Sequence, residues 1–288
     1  MKTILITGAN GQLGSDLCEI LGAEGFKIVP LTHADFDLTD TAHLKEVLLL
    51  HKPDVVINTA AFHHVDQCEA DLEKAMLVNC GGPSLMAKFC DNLGIKFIHI
   101  STDYVFDGLK NAPYLETDEP KPLNNYGLSK WAGEKAILNE CKNALILRVS
   151  AIYGKSPCRA KNGLNFVQLM LKKASEGADL KVVDDEIVSP TSTESIANKI
   201  REILAANPSG IMHLTSEGSC SWFDFAEEIF AYTHTQANLS RAKSTDFVAK
   251  TPRPKYSVLD NQKLRERGLK PMPDWKTSLH HYLDQLTK

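Results

Sequence analysis

The chain has no Cys-x-x-Cys pair, although it carries seven cysteines: Cys18, Cys68, Cys80, Cys90, Cys141, Cys158 and Cys220. An odd, scattered set makes neither a disulfide framework nor a thiolate metal site expected, and it suits a reducing cytosol. Long apolar runs are also missing. Ile4-Leu5-Ile6 stops at Gly8, far short of a signal-peptide core or a membrane span. A cytoplasmic protein with no membrane partner is therefore expected. No block of positive charge is present: 32 Lys and Arg stand against 36 Asp and Glu, for a net charge of −4. The nearest approach, Lys250–Lys255, is broken by two prolines. A phosphate backbone asks for a clustered positive field, so no nucleic-acid partner is expected. Repeats, low-complexity tracts and a clean linker are absent as well.

What is present is an alternation of short apolar runs and longer helical patterns. Strands are expected at Ile4–Ile6, Phe26–Val29, Val55–Ile57, Phe97–Ile100 and Ala144–Val149. Between them, helices are expected at about Gly11–Glu24, Thr41–His51, Ala70–Leu93 and Asn125–Glu140. Short runs apolar on both faces, separated by helices, predict a parallel sheet with helical crossovers. The fold class is α/β, a doubly wound parallel sheet (Rossmann-like) with a smaller C-terminal substrate domain. Residues 1–150 form the expected dinucleotide-binding domain, with about 187–213 returning to it. Residues 151–288 are mainly substrate-binding. Within them Gly154–Gly163 reads as a mobile loop, and helices are expected at Leu164–Ser175, Thr193–Ala206, Ser221–Tyr232 and Lys276–Gln285.

Gly8-Ala9-Asn10-Gly11-Gln12-Leu13-Gly14 follows the first strand and opens a helix. Glycines there permit a tight turn and close approach of the backbone to a pyrophosphate, which the helix N-terminus then attracts. Cofactor contacts are expected from Gly8, Asn10, Gly11, Gln12, Leu13 and Gly14. Ala60 and Ala61, small residues after the third strand, leave room for a flat cofactor, and Asp37-Leu38 could bracket the adenine. Thr32 and His33 come first after the second strand, with Asp35 later, so NADPH is preferred and NADH stays open.

Tyr126 and Lys130 share one helix face at a spacing of four. A phenol has a pKa near 10; a nearby ammonium favours the phenolate and brings it closer to working pH. The same lysine can hold a ribose hydroxyl, so Tyr126 and Lys130 are both catalytic and cofactor-binding candidates. Thr102 lies at the carboxyl end of the fourth strand, where open α/β sheets place ligands and where a hydroxyl can donate to a developing alkoxide. Three other clusters read as ordinary. His63-His64 near Asp66, Cys68 and Glu69 has no metal-ligand spacing and reads as a substrate-side loop; Trp222-Phe223-Phe225 reads as packing; Asp184-Asp185-Glu186 reads as a solvated turn.

On these motifs the chain resembles the extended short-chain dehydrogenase/reductase superfamily and, within it, the dTDP-4-dehydrorhamnose reductase family. The shared segments are TGANGQLG (7–14), DLTD (37–40), PDVVINTAA (53–61), VDQCE (65–69), STDYVFDG (101–108), YGLSKWAGE (126–134), SPT (189–191) and RPKYSVLD (253–260). The resemblance implies NAD(P)H-dependent reduction of the C4 ketone of a nucleoside-diphosphate 6-deoxy-4-keto sugar, in dTDP-L-rhamnose biosynthesis. It implies Tyr126 as proton donor, Lys130 as its partner and ribose ligand, and Thr102 polarising the carbonyl with Asp103 alongside. It implies that Val65 and the Arg253 region face the substrate. A monomer or homodimer is expected; magnesium is left undecided and no metal ligands are assigned. Many family members carry a Trp after the fifth strand where this chain has Ala151, which leaves the exact sugar open. A family relative that binds NADP as a regulatory subunit of methionine adenosyltransferase supplies the alternative reading.

Overall fold

The computed structural model describes residues 1–158, 163–247 and 251–286. Of the loop expected over Gly154–Gly163, residues 159–162 lie outside the described residues, as does Lys250 of the basic stretch. The strands are β1 (Thr3–Thr7), β2 (Lys27–Leu31), β3 (Val55–Asn58), β4 (Lys96–Thr102), β5 (Leu145–Val149), β6 (Ile152–Tyr153), β7 (Asp179–Val183), β8 (Ile187–Val188), β9 (Thr191–Ser192), β10 (Gly210–His213), β11 (Cys220–Ser221) and β12 (Asn238–Ala242). The helices are α1 (Gln12–Ala23), α2 (Thr41–His51), α3 (Val65–Ala70), α4 (Leu72–Met76), α5 (Gly82–Leu93), α6 (Asn125–Glu140), α7 (Phe166–Ser175), α8 (Thr193–Ala206), α9 (Trp222–Thr233), α10 (Gln262–Glu266) and α11 (Trp275–Leu286). No helix among the described residues is long and apolar enough to cross a membrane.

Six strands form one sheet in the order β10-β5-β4-β3-β1-β2, every pair parallel. Alternate side chains enter opposite cores, as the pleat requires. Ile4 and Ile6 of β1 pack with Leu13 and Leu17 of α1 and with Ile196 and Ile200 of α8. Leu5, between them, packs with Leu44 of α2, Met86 and Ala87 of α5 and Ile137 of α6. A sheet with both faces covered explains why its strands are short apolar runs without polar alternation. Pro30 sits in β2, an edge strand, where a missing N–H is tolerated. A third core joins Tyr153, Val167 of α7, Phe225 and Ile229 of α9 and Leu279 of α11.

Two expectations are corrected. The helix expected over Ala70–Leu93 is broken: α3 and α4 are short, and a π-helical turn at Leu77–Gly81 precedes α5. The turn gives Asn79 its place. Its side chain accepts from the Phe62 N–H at 2.8 Å and donates to the Phe62 carbonyl at 2.9 Å and to Ser129 Oγ at 3.0 Å, clamping the loop after β3 to α6. A sixth sheet strand, β10, was not expected from its sequence; it runs beside β5, while α8 packs on α1.

Glu134 of α6 and Arg148 of β5 form an ion pair in the interior, each side chain 1% exposed. Arg148 donates through Nε at 2.9 Å and Nη2 at 2.7 Å, and Ser101 Oγ of β4 donates to the same carboxylate. Removing one partner leaves the other charged and uncompensated. Glu134→Ala should therefore cost about 3–5 kcal/mol of stability, read as a lowered denaturant midpoint. A loss below about 1 kcal/mol would show that the guanidinium has found another partner.

Candidate active site

The chain runs from β1 outward to β2 and then returns to the other side of β1 to lay down β3. The connections after β1 and β3 therefore diverge, and a crevice opens at the strands' carboxyl ends, where ligands of open α/β sheets bind. The crevice is a cleft running from Gly11–Gly14 past Thr102 and Tyr126 to α9.

The glycine turn at its floor leaves little room for side chains. Gly8 has φ +70°, and a Cβ on Gly14 would lie 2.2 Å from the Gly8 carbonyl oxygen. This packing seats α1 directly on the turn. Gly11 is the N-cap of α1 and makes no side-chain capping bond, so the first-turn N–H groups keep their donors for a ligand. Gln12 ties the turn across the cleft: its Oε1 accepts from the Gly154 N–H at 2.9 Å. The residues present fit a dinucleotide pyrophosphate.

Gly11, Gln12, Leu13, Gly14, Ala61, Val65, Thr102, Asp103, Tyr126 and Lys130 all line the cleft. Gly8, Asn10 and Ala60 belong to the adjoining turns without lining it; an added Cβ on Gly8 would meet the Ala60 backbone at 2.9 Å. Asp37 and Leu38 are elsewhere. Asp37 accepts from the Thr39 N–H and hydroxyl, each at 2.8 Å, and Leu38 is buried against Gly82. Arg253 is exposed; its charge reaches Tyr104 and Glu186, while Pro254 and Ser257 line the cleft itself.

Tyr126 lies in the first turn of α6, whose N-cap Asn124 accepts from the Gly127 N–H at 2.9 Å and donates to the Pro252 carbonyl at 2.9 Å. A Cβ on Gly127 would lie 2.1 Å from the Tyr104 carbonyl oxygen, so only glycine lets the helix start this close to the β4 end. Burial pushes the Tyr126 phenol well above its usual range, and the Thr102 hydroxyl draws it only partly back. The expected lowering by a neighbouring ammonium is not found: Lys130 Nζ is turned to the Ile100 carbonyl at 2.6 Å and to His99 Nε2 at 2.9 Å. Burial lowers Lys130 itself to about 8, against the opposing charge of Glu134. Thr102 Oγ donates to Asp103 at 3.0 Å, and Asp103, raised by burial, also accepts from Ser150 Oγ at 2.8 Å.

Residues 1–288 match the family model described as RmlD substrate binding domain. The spore coat polysaccharide biosynthesis protein SpsK of Bacillus subtilis is 38% identical over 285 residues, covering 99% of this chain and 98% of that protein. A dTDP-4-dehydrorhamnose reductase of Burkholderia thailandensis is 37% identical over 290 residues, covering 95% of each. The chain belongs to the dTDP-4-dehydrorhamnose reductase family. The crystal structure of a family member from Bacillus anthracis in complex with NADP superposes with a TM-score of 0.94 at 36% identity, covering 99% of this chain and 100% of that one. Relatives with reductase names do not favour the regulatory-subunit alternative.

Within this reductase-family site, two readings are corrected. Trp222 and Phe225 are not packing alone: with Phe166 they wall the cleft, the Phe166 and Trp222 ring centroids 4.7 Å apart. Phe223 is buried in the third core, and Trp222 packs against that core while also facing the cleft. Asp184 and Asp185 are largely screened, pairing with Lys243 and Lys255, and Glu186 lines the cleft. Burial raises Glu186, against the charge of Arg253. Of the histidine pair, His63 lines the cleft and His64 caps α3 by accepting from the Gln67 N–H. Among the described residues no group of three His, Cys, Asp or Glu could hold a metal ion.

Ala151 lines the cleft with a left-handed backbone, φ +44°. Phe166, Trp222 and Phe225 already supply an aromatic wall. An indole at Ala151 would enter a cleft already walled by these rings. Ala151→Trp should lower kcat/KM for the keto sugar. An unchanged or higher value would show free space at this point.

Proposed function

We propose that the chain reduces the C4 ketone of a dTDP-linked 6-deoxy-4-keto sugar, dTDP-4-dehydrorhamnose, using NADPH. The observation that carries the proposal is the meeting of the glycine turn, Thr102, Tyr126 and Lys130 in one cleft of a chain that matches the family model over residues 1–288. The NADP of the Bacillus anthracis relative supports the cofactor. In this reading residues 1–150 hold the dinucleotide and residues 151–288 mainly hold the sugar nucleotide.

The cofactor, when bound, supplies a hydride to C4. The carbonyl carbon gains the hydride while its π electrons move to oxygen, and the resulting alkoxide takes the phenol proton of Tyr126. A phenol raised by burial stays protonated at neutral pH, which is the form an acid needs. Thr102 donates to the developing oxyanion once its hydroxyl turns from Asp103, whose buried carboxyl and Ser150 bond keep that pivot in place. Gly8, Asn10, Gly11 and Gln12 hold the pyrophosphate with Leu13 and Gly14 behind them, Ala60 and Ala61 flank the ring system, and Lys130 holds the ribose. Val65 and the aromatic wall enclose the sugar; Arg253, at the mouth, offers charge to its diphosphate. Asp37 and Leu38 lie away from the cleft and have no contact with the cofactor in this reading.

Purified protein should oxidise NADPH in the presence of dTDP-4-dehydrorhamnose, followed by the loss of reduced-cofactor absorbance. No turnover with any dTDP-linked 4-keto sugar would refute the proposal. Tyr126→Phe should lower the rate by roughly 10²–10⁴-fold with cofactor affinity little changed. Lys130→Ala should lower both. Near wild-type turnover in Tyr126→Phe would assign the acid elsewhere.

A further inference from the structure

His99 of β4 is fully buried and stands between two groups that decide where its proton lies. On one side, Asn58 has its orientation set by a group with no choice. Its Oδ1 accepts from the Ala60 backbone N–H at 3.1 Å and from Thr7 Oγ at 2.6 Å, and a backbone N–H only donates. The Asn58 amide nitrogen is thereby turned to His99 Nδ1, 2.9 Å away. An amide nitrogen donates, so Nδ1 carries no proton, and a neutral ring must carry it on Nε2. That N–H points at Lys130 Nζ, 2.9 Å away. An ammonium has three donors and no acceptor, whereas a neutral amine has a lone pair. We infer that His99 is a positioning residue: it parks Lys130 as a neutral amine, accepting from Nε2–H, and makes protonation of Lys130 turn its nitrogen away from β4 and into the cleft.

Each bond of the parked lysine is accounted for. One N–H donates to the Ile100 carbonyl, the lone pair accepts from His99, and one N–H remains for the cleft that Lys130 also lines. The surrounding charges leave this arrangement standing. Glu134, one turn along α6, favours the ammonium, but its carboxylate is already occupied by Arg148 and Ser101. Tyr126, one turn back on α6, and Asp103, beyond the end of β4, share the cleft. His99 is itself held neutral by its burial. Charge and direction of Lys130 thus change together: the neutral amine sits on His99, and the ammonium is released toward Tyr126 and a ribose hydroxyl. Only this last consequence rests on the proposed reductase chemistry; the proton's place on the ring does not.

The test is nuclear magnetic resonance of the full chain without cofactor, which keeps it separate from any assay of reduction. At neutral pH, long-range proton–nitrogen spectra should show His99 protonated on Nε2 and bare on Nδ1. A proton on Nδ1, or on both nitrogens, overturns the inference. In the second measurement the ε-carbon of Lys130 is titrated in the native chain and in His99→Gln. A glutamine amide can turn its oxygen to the amine and accept from an ammonium, which the fixed ring cannot do. The Lys130 midpoint should rise by roughly 0.5–1 unit, the worth of one hydrogen bond. A midpoint that stays or falls overturns the inference. If the variant does not fold, the native-chain ring spectrum decides alone.

Discussion

The site depends on the close seating of α1 on the turn that follows β1. With Gly14 against the Gly8 carbonyl, no side chain fits between helix and turn, so the helix begins at the mouth of the sheet. Its unpaired N–H groups then face the crevice that the reversal of strand order opens between β1 and β3. Any side chain at Gly14 would lift α1, disturb its packing with α8, and misplace Gln12, the link from the turn to Gly154. The proposed phosphate site and the Gln12–Gly154 link thus share one steric condition.

A second layer holds α6, which carries Tyr126 and Lys130. Asn79 clamps α6 to the loop after β3, Asn124 ties its start to the segment around Pro252, and the Glu134–Arg148 pair fixes its middle to β4 and β5. Each is a buried polar contact, although Arg148 Nη1 has no hydrogen-bond partner; buried contacts of this kind rigidify a site. The phenol of Tyr126 is therefore placed by interactions well outside the reacting atoms, and its raised proton affinity follows from the same burial.

The sheet was legible because each of β1, β3, β4 and β5 is a short apolar run buried on both faces. β10 was not, since Gly-Ile-Met-His is four residues with a polar end and owes its strand form to β5 beside it. The breaks between α3, α4 and α5 were hidden because a π-turn keeps much of the helical spacing. The glycine turn, Thr102 and the Tyr126/Lys130 pair were legible because each is local. Trp222, Phe166 and Glu186 were not: they reach the cleft from segments far apart in sequence, which only the packing of α7 and α9 brings together. The Tyr126–Lys130 spacing placed both on one face but could not reveal that His99 draws the lysine aside.

Direct transfer of a hydride to C4, with the proton coming from Tyr126, is the central claim. NADPH carrying deuterium at the transferring position of the nicotinamide tests it most directly, with the sugar product read by nuclear magnetic resonance. The account predicts deuterium at C4 of the product sugar. Deuterium absent from C4, or C4 hydrogen drawn from solvent, would contradict it.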